Sequence, residues 1–160
     1  MELFLVSKGS KIIVQDKKER LLYTIKKKSF GKKFLLLDAS GYELYSFTQV
    51  EQSKKPQFEI VLNEKLFIIA RCVSLFLDPS IEFEFQTGKL QGIKATLKSS
   101  DRKHFTLFKE DMQIGTINVI MGADGELQYE IEIQNDYFDD YVPLFALSVD
   151  RAFGDMNKSK

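Results

Sequence analysis

The segment from Tyr141 to Val149, YVPLFALSV, is apolar on nearly every side, with Ser148 the clear exception. A surface helix of a soluble protein carries an apolar stripe and a polar face. This segment has no polar face through its centre, yet it falls far short of the ~20 apolar residues of a membrane span. Whatever folds around it must wall it in on all sides.

Its flanks read as helix signals. Asp139 and Asp140 precede it, which suits N-cap chemistry and the positive end of the helix dipole. Pro143 is tolerated only in a first turn, and Gly154 after Phe153 is a natural stop. The expected helix runs from about Asp139 to Phe153, with residues 154–160 as a tail. Asn135, Asp136, Asp139 and Asp140 also form an oxygen-rich cluster of the kind that holds Ca²⁺. Their spacing matches no known calcium loop, GADGE (Gly122 to Glu126) lacks EF-hand ligands, and capping accounts for the acids.

The wall is written in alternation. IEFEFQ (Ile81 to Gln86) sets Ile81, Phe83 and Phe85 on one face and Glu82, Glu84 and Gln86 on the other. LQYEIEIQ (Leu127 to Gln134) repeats the pattern with Leu127, Tyr129, Ile131 and Ile133 inward. That period is the mark of antiparallel strands with one wet face. DASGYE (Asp38 to Glu43), GADGEL (Gly122 to Leu127) and TGKLQG (Thr87 to Gly92) supply glycine where tight turns need positive φ.

About twelve runs bounded by turns are candidate strands: Leu3–Val6, Lys11–Gln15, Leu21–Lys27, Lys33–Asp38, Glu43–Thr48, Phe58–Leu62, Leu66–Arg71, Ile81–Gln86, Gly92–Lys98, His104–Lys109, Gln113–Ile120 and Leu127–Gln134. The run LFIIARCVSLFL (Leu66 to Leu77) reads either as two buried strands or as one buried helix. A faint echo links KKFLLLDASGYELYSF (Lys32 to Phe47) to KHFTLFKEDMQIGTI (Lys103 to Ile117), with Phe34 matching Phe105. With 160 residues and 18.5 kDa, the chain is expected to be one all-β domain with a single C-terminal helix. An antiparallel sheet closed around that helix satisfies both elements and removes exposed edges; a sandwich with the helix clamped on an open end is the alternative.

The combination resembles the tubby C-terminal-like superfamily, which includes the LURP-one-related proteins and the phospholipid scramblases, and within it the small bacterial members. LLYTIKKKSFGKKFLLLDASGYELYSF (Leu21 to Phe47) and VPLFALSVDRAF (Val142 to Phe153), ending in the pair Asp150 and Arg151, carry the likeness. The resemblance implies a twelve-stranded antiparallel barrel threaded by the apolar helix, and a binding module rather than an enzyme. Tubby-like relatives recognise phosphoinositide headgroups through basic surface residues. The cysteine-rich, lipid-modified segment and membrane-proximal tail of scramblases are absent, so lipid transport is not implied.

Charge supplies the candidate site. Lys plus Arg equals Asp plus Glu at 23 each, which leaves no global field to draw nucleic acid. Residues 1–33 nevertheless hold ten cations against three acids, a net of +7, and residues 124–160 hold nine acids against three bases, a net of −6. Packed side by side, the two segments would neutralise each other. Lys26, Lys27, Lys28, Lys32 and Lys33 crowd one hairpin, IKKKSFGKK, with Phe30 at its tip, and Lys54 and Lys55 extend the patch if the next turn lies alongside. Such a cluster can engage anionic lipid headgroups or a protein partner, or simply solubilise a strand end.

Enzymatic readings are thin. His104 is the lone histidine and Cys72 the lone cysteine, too few for a standard zinc site, and Cys72 sits in an apolar run as a buried thiol. A small barrel hydrolase or isomerase using His104, in reach of Cys72 or another polar group, is the rival reading; a purely structural or regulatory scaffold is a third. Glu82 with Glu84, and Glu130 with Glu132, share solvent faces rather than a cleft. No phosphate loop or dinucleotide motif occurs, so no cofactor is expected. The unpaired cysteine and a start, MELFLVSKGSK, unlike a signal peptide lead to an expected cytoplasmic location, peripheral at the inner membrane face if lipid is the ligand.

Overall fold

The structure, a computed structural model, describes residues 1–28, 32–50, 54–134 and 138–158. Among them, twelve strands precede one helix: β1 (Glu2–Lys8), β2 (Lys11–Gln15), β3 (Leu21–Lys28), β4 (Lys33–Asp38), β5 (Glu43–Val50), β6 (Gln57–Leu62), β7 (Lys65–Ser74), β8 (Ser80–Phe85), β9 (Lys94–Ser99), β10 (His104–Lys109), β11 (Met112–Met121), β12 (Leu127–Ile133) and α1 (Val142–Lys158). Each strand pairs antiparallel with its neighbour in sequence. β1 then closes the ring on β12, from Glu2 opposite Glu132 to Val6 opposite Gln128. Closure leaves no strand edge to pair with another chain.

Alternation decides what the wall shows to each side. Ile81, Phe83 and Phe85 are buried inside, while Glu84 and Glu82 point outward to ion pairs with Arg71 and Lys94. Glu130 and Glu132 likewise sit on the outer row, opposite Phe4 and Glu2 of β1. An apolar interior with carboxylates at mid-strand outside is the reverse of a membrane barrel, whose outer band faces lipid.

The ambiguous run resolves into one strand and a turn. Ile68, Ala70 and Cys72 face inward, and Ile69 and Arg71 outward. Arg71 is the deciding residue, because a buried helix would have to desolvate its guanidinium, whereas a strand places it outside beside Glu84. The run leaves the sheet after Ser74, and Phe76 and Leu77 emerge into solvent. The echo in sequence is an echo in space. The β4–β5 and β10–β11 hairpins each shift register once, after Leu36 and after Leu107. They stand six strands apart in the ring, so Phe34 and Phe105 reach the helix from opposite walls.

α1 fills the barrel. Every residue from Val142 to Val149 is buried, which is why the segment has no polar face. The Ser148 hydroxyl donates to the Phe145 carbonyl at 2.6 Å and so needs no partner on the wall. Phe145 packs against Phe83 with ring centroids 4.2 Å apart, and Phe153 against Phe105 at 5.4 Å.

Both expected helix ends move. Gly154 does not stop the helix but lies buried inside it, and a Cβ there would come 3.2 Å from Asp150 Oδ1. That oxygen accepts a hydrogen bond from the Tyr129 hydroxyl at 2.7 Å, so the glycine makes room for a link between helix and wall. At the other end, α1 begins at Val142 rather than Asp139. Asp140 turns to the wall and accepts the Tyr45 hydroxyl at 2.7 Å, while the Asp139 carboxylate takes the Asp140 N–H. Neither carboxylate bonds a first-turn N–H among the described residues; Val142 N–H instead goes to the Asp139 carbonyl. The side-chain cap expected of the two acids is therefore replaced by a latch. Asn135 and Asp136 lie outside the described residues.

Candidate functional site: a basic rim

In an up-and-down barrel the turns alternate between the two ends. The turns after β1, β3, β5, β7, β9 and β11 therefore share one rim. The helix enters at the opposite rim, where Tyr141 packs on Phe67 and Phe85, and leaves at this one. There Lys158 pairs with Glu126 at 2.9 Å, and Asn157 donates to the Arg102 carbonyl at 2.9 Å.

The lysine hairpin stands on the exit rim, but its lysines do not act together. Ile25 is buried, so alternation turns Lys27 inward and Lys26 and Lys28 outward. Lys27 lies opposite buried Phe34 and borders a polar cavity of about 120 Å³ that Lys11, Glu126, Asp150, Arg151, Asp155 and Lys158 also line. It sits over the negative end of the helix dipole. Arg151 caps the same cavity, its guanidinium 5.5 Å from the Phe34 ring centroid. Here the basic N-terminal and acidic C-terminal segments do meet and offset each other.

The outward lysines are different. Lys26 stands directly opposite Lys11 on β2, and Lys28 directly opposite Lys33 on β4. Like charges facing each other across a ladder destabilise it. No ion pair relieves Lys11, Lys26, Lys28 or Lys33 among the described residues. Lys32 continues the edge, and Phe30 lies outside the described residues. The β5–β6 turn does lie alongside, since β4 pairs with β5. Its exposed Lys54 and Lys55 extend the patch, and Lys55 Nζ donates to the Val73 carbonyl at 2.9 Å.

Two further parts of this rim escape a reading of the sequence. The end of β7 and the β7–β8 turn expose Val73, Phe76 and Leu77, at 47%, 70% and 85%. Apolar letters at the end of an apolar run look like core; the signal available was Asp78–Pro79, which ends the strand just beyond them. The β9–β10 turn adds Arg102 and Lys103, and Lys98 beside it lies 5.4 Å from the Phe108 ring centroid.

The opposite rim uses its acids internally. Asp16 accepts the N–H groups of Lys18 and Arg20, and Asp38 those of Ser40 and Tyr42. A cavity of about 660 Å³ opens there between Tyr23, Tyr45, Phe67, Asp140 and Tyr141, but its deeper rings pack on one another.

His104 does not reach the barrel interior. It is exposed at the start of β10, with Nδ1 2.7 Å from Asp101 Oδ2 in the preceding turn. Asp101 also accepts the N–H groups of Lys103 and His104 and the Ser99 hydroxyl. Burial opposes ionisation of Asp101, but these bonds, led by that of the His104 side chain, outweigh it and hold the carboxyl well below the usual range. The pair is a clamp on a turn whose Arg102 has φ of 65°. Cys72 faces inward on β7, its thiol pushed up to about 11 by burial despite the nearby Lys55, so the histidine and the thiol do not meet. The interior that a barrel enzyme would use is occupied by α1. Among the described residues, no group of three or more His, Cys, Asp or Glu side chains gathers as a metal site, and no helix is long and apolar enough to cross a membrane.

Comparison with known proteins agrees with this architecture. The family profile described as LURP-one-related matches residues 1–149. An X-ray structure of a protein from Arabidopsis thaliana superposes with a TM-score of 0.59 at 17% identity, covering 98% of this chain and 90% of that one. The likeness to that structure is one of fold. Among curated proteins, no sequence matches the chain.

Proposed function

The chain belongs to the LURP-one-related family, and from that premise we propose that it is a non-enzymatic binding module whose basic rim docks on an anionic phospholipid surface. The observation that carries this reading is the facing of Lys11 with Lys26 and of Lys28 with Lys33, without a carboxylate partner among the described residues. A fold that keeps such pairs bears a cost that an external anion removes. Each lysine near an anionic leaflet contributes about 1 kcal/mol, so four contribute about 4 kcal/mol, or roughly a thousandfold in partition. The attraction fades beyond a Debye length of about 8–10 Å at moderate salt, which makes the association reversible. A buried, unpaired thiol is at home in a reducing compartment, so the surface meant is the cytoplasmic face of a membrane. The interior filled by α1 and the use of His104 as a turn clamp support binding over catalysis.

The test is co-sedimentation with vesicles of phosphatidylcholine alone and of phosphatidylcholine with phosphatidylserine, at low and moderate salt. Binding is expected only with phosphatidylserine, weaker at moderate salt, and lost in the variant Lys26→Glu, Lys28→Glu, Lys33→Glu with its melting temperature retained. Binding that ignores both phosphatidylserine and charge reversal would falsify the proposal. Absence of any vesicle binding would also end it, and would turn the search to a protein partner.

A further inference from the structure

We infer that the β7–β8 turn is a membrane wedge, with Phe76 and Leu77 entering the bilayer on which the basic rim docks. This rests on the docking proposed above and adds what the lysines cannot supply, namely depth and orientation. The starting point is an exposed apolar tip that the fold holds in place. Leu75 tucks against the core, while Phe76 and Leu77 are 70% and 85% exposed.

The tip is braced on both sides. Lys55 Nζ donates to the Val73 carbonyl at 2.9 Å from the β5–β6 turn, and Ser99 N–H donates to the Pro79 carbonyl at 2.9 Å from β9. Cys72 N–H donates to the Pro56 carbonyl at 2.9 Å just below. Within the turn, the Ser74 hydroxyl donates to the Leu77 carbonyl. A satisfied carbonyl matters here, because an unpaired one could not leave water without a large penalty. The turn thus presents its apolar side chains outward with part of its backbone already internally bonded.

What surrounds the tip selects its partner. Exposed Lys54 lies with Lys55 on one side, and Arg102 and Lys103 on the other, all on the rim that carries the lysine hairpin. Two apolar side chains on a convex turn amid cations make a poor protein interface, which needs a broad patch with many contacts. They suit a fluid, anionic surface, where cations sit at the headgroups and apolar groups just beneath. Asp78, exposed in the same turn, sets the limit of entry at headgroup level. Insertion there fixes the barrel with its exit rim toward the membrane and its helix entry away from it.

The chain contains no tryptophan, so Leu77→Trp introduces a single indole reporter at the tip. Mixed with phosphatidylcholine–phosphatidylserine vesicles, its emission should shift to the blue and be quenched by nitroxide-labelled acyl chains. The variant Phe76→Ser, Leu77→Ser should keep its melting temperature and lose at least tenfold in partition to the same vesicles, since removing each buried apolar side chain forfeits about a factor of ten or more. Vesicles that sediment the protein while the indole emission stays water-like would overturn the wedge and leave docking by the lysines intact. The same holds if the double serine variant partitions as well as the original chain. If neither the original chain nor Leu77→Trp sediments with these vesicles, docking and wedge both fall, and the tip is left to a protein partner.

Discussion

α1 is tied to the wall just ahead of its start and again at its middle, and alkaline titration tests the ties directly. The Tyr45 hydroxyl donates to Asp140, just ahead of the helix, and the Tyr129 hydroxyl to Asp150 within it, each at 2.7 Å. Burial first, and then the adjoining carboxylate, raise both phenols far above their ordinary value; burial does the same to Tyr141. A group whose folded pKa is raised contributes stability that is complete below the unfolded pKa of about 10 and lost as pH climbs beyond it. Above pH ~10 the unfolded chain releases phenolic protons that the native barrel retains, so each phenol removes about 1.4 kcal/mol per pH unit. Three together remove about 4 kcal/mol per unit, against a total stability of roughly 5–15 kcal/mol. The barrel should therefore unfold between about pH 11 and pH 13–14. Without tryptophan, tyrosinate absorbance can be followed cleanly beside far-ultraviolet circular dichroism. Part of the absorbance change should coincide with the loss of strand signal, and Tyr45→Phe and Tyr129→Phe should each flatten the dependence of stability on pH by about 1.4 kcal/mol per unit. If every phenol ionises while the strand signal persists, the latches are not as described and the reasoning fails.

Other consequences concern the core and its one thiol. Phe145→Ala removes a fully buried ring that touches Phe83 and Phe138, and should cost about 3–5 kcal/mol, read as a lower urea midpoint at unchanged slope. A shift no larger than that of Phe76→Ala, at an exposed site, would contradict the placement of α1 inside the barrel. Gly115→Ala puts a Cβ 2.4 Å from the Glu132 carbonyl oxygen, so the β11–β12 ladder must part, at a cost of about 1–3 kcal/mol or more in the same experiment. Alkylation of Cys72 at neutral pH should be slow and should accelerate with urea in step with unfolding, because burial pushes its thiol up to about 11; prompt reaction in native buffer would place that thiol elsewhere.

How far the fold could be read from the sequence follows from where local rules and tertiary packing agree. Ile81 to Gln86 alternates strictly, and a strand satisfies both its carboxylates and its rings, so nothing competes with that reading. YVPLFALSV has no wet side, and a ring of such strands is the enclosure that leaves none exposed. The readings that failed are those where a local signal had a distant partner. Gly154 looks like a helix stop until Tyr129, 25 positions earlier in sequence, brings its hydroxyl to Asp150, whose Oδ1 would lie only 3.2 Å from a Cβ at position 154. Asp140 looks like a cap until Tyr45 claims it from the far side of the chain. Tyr45 is separated from its acid by strands β6 to β12, whose register the closed ring determines, and Tyr129, on the last strand, meets Asp150 only because α1 turns back through that ring.

The site was legible in pieces whose meaning depends on a count. Five lysines in IKKKSFGKK invite a single patch, yet alternation past Ile25 already turns Lys27 toward the barrel axis, where it stays exposed at the rim. Which pieces share a rim is a matter of parity, because each strand of an up-and-down barrel sends the chain to the other end. With Lys65–Ser74 as one strand, the turns holding Lys54, Phe76 and Arg102 all fall on the rim of the lysine hairpin. Had that run been a helix outside the sheet, the strand count would drop by one and every later turn would change ends. The Phe76 turn and Arg102 would then part from the lysines, all of which precede the run, leaving the basic rim without an apolar tip within it. The outward position of Arg71 beside Glu84 agrees with a strand paired to β6 and β8, and it is this place of β7 in the ring that sets the Phe76 turn and Arg102 on the same rim as the lysines.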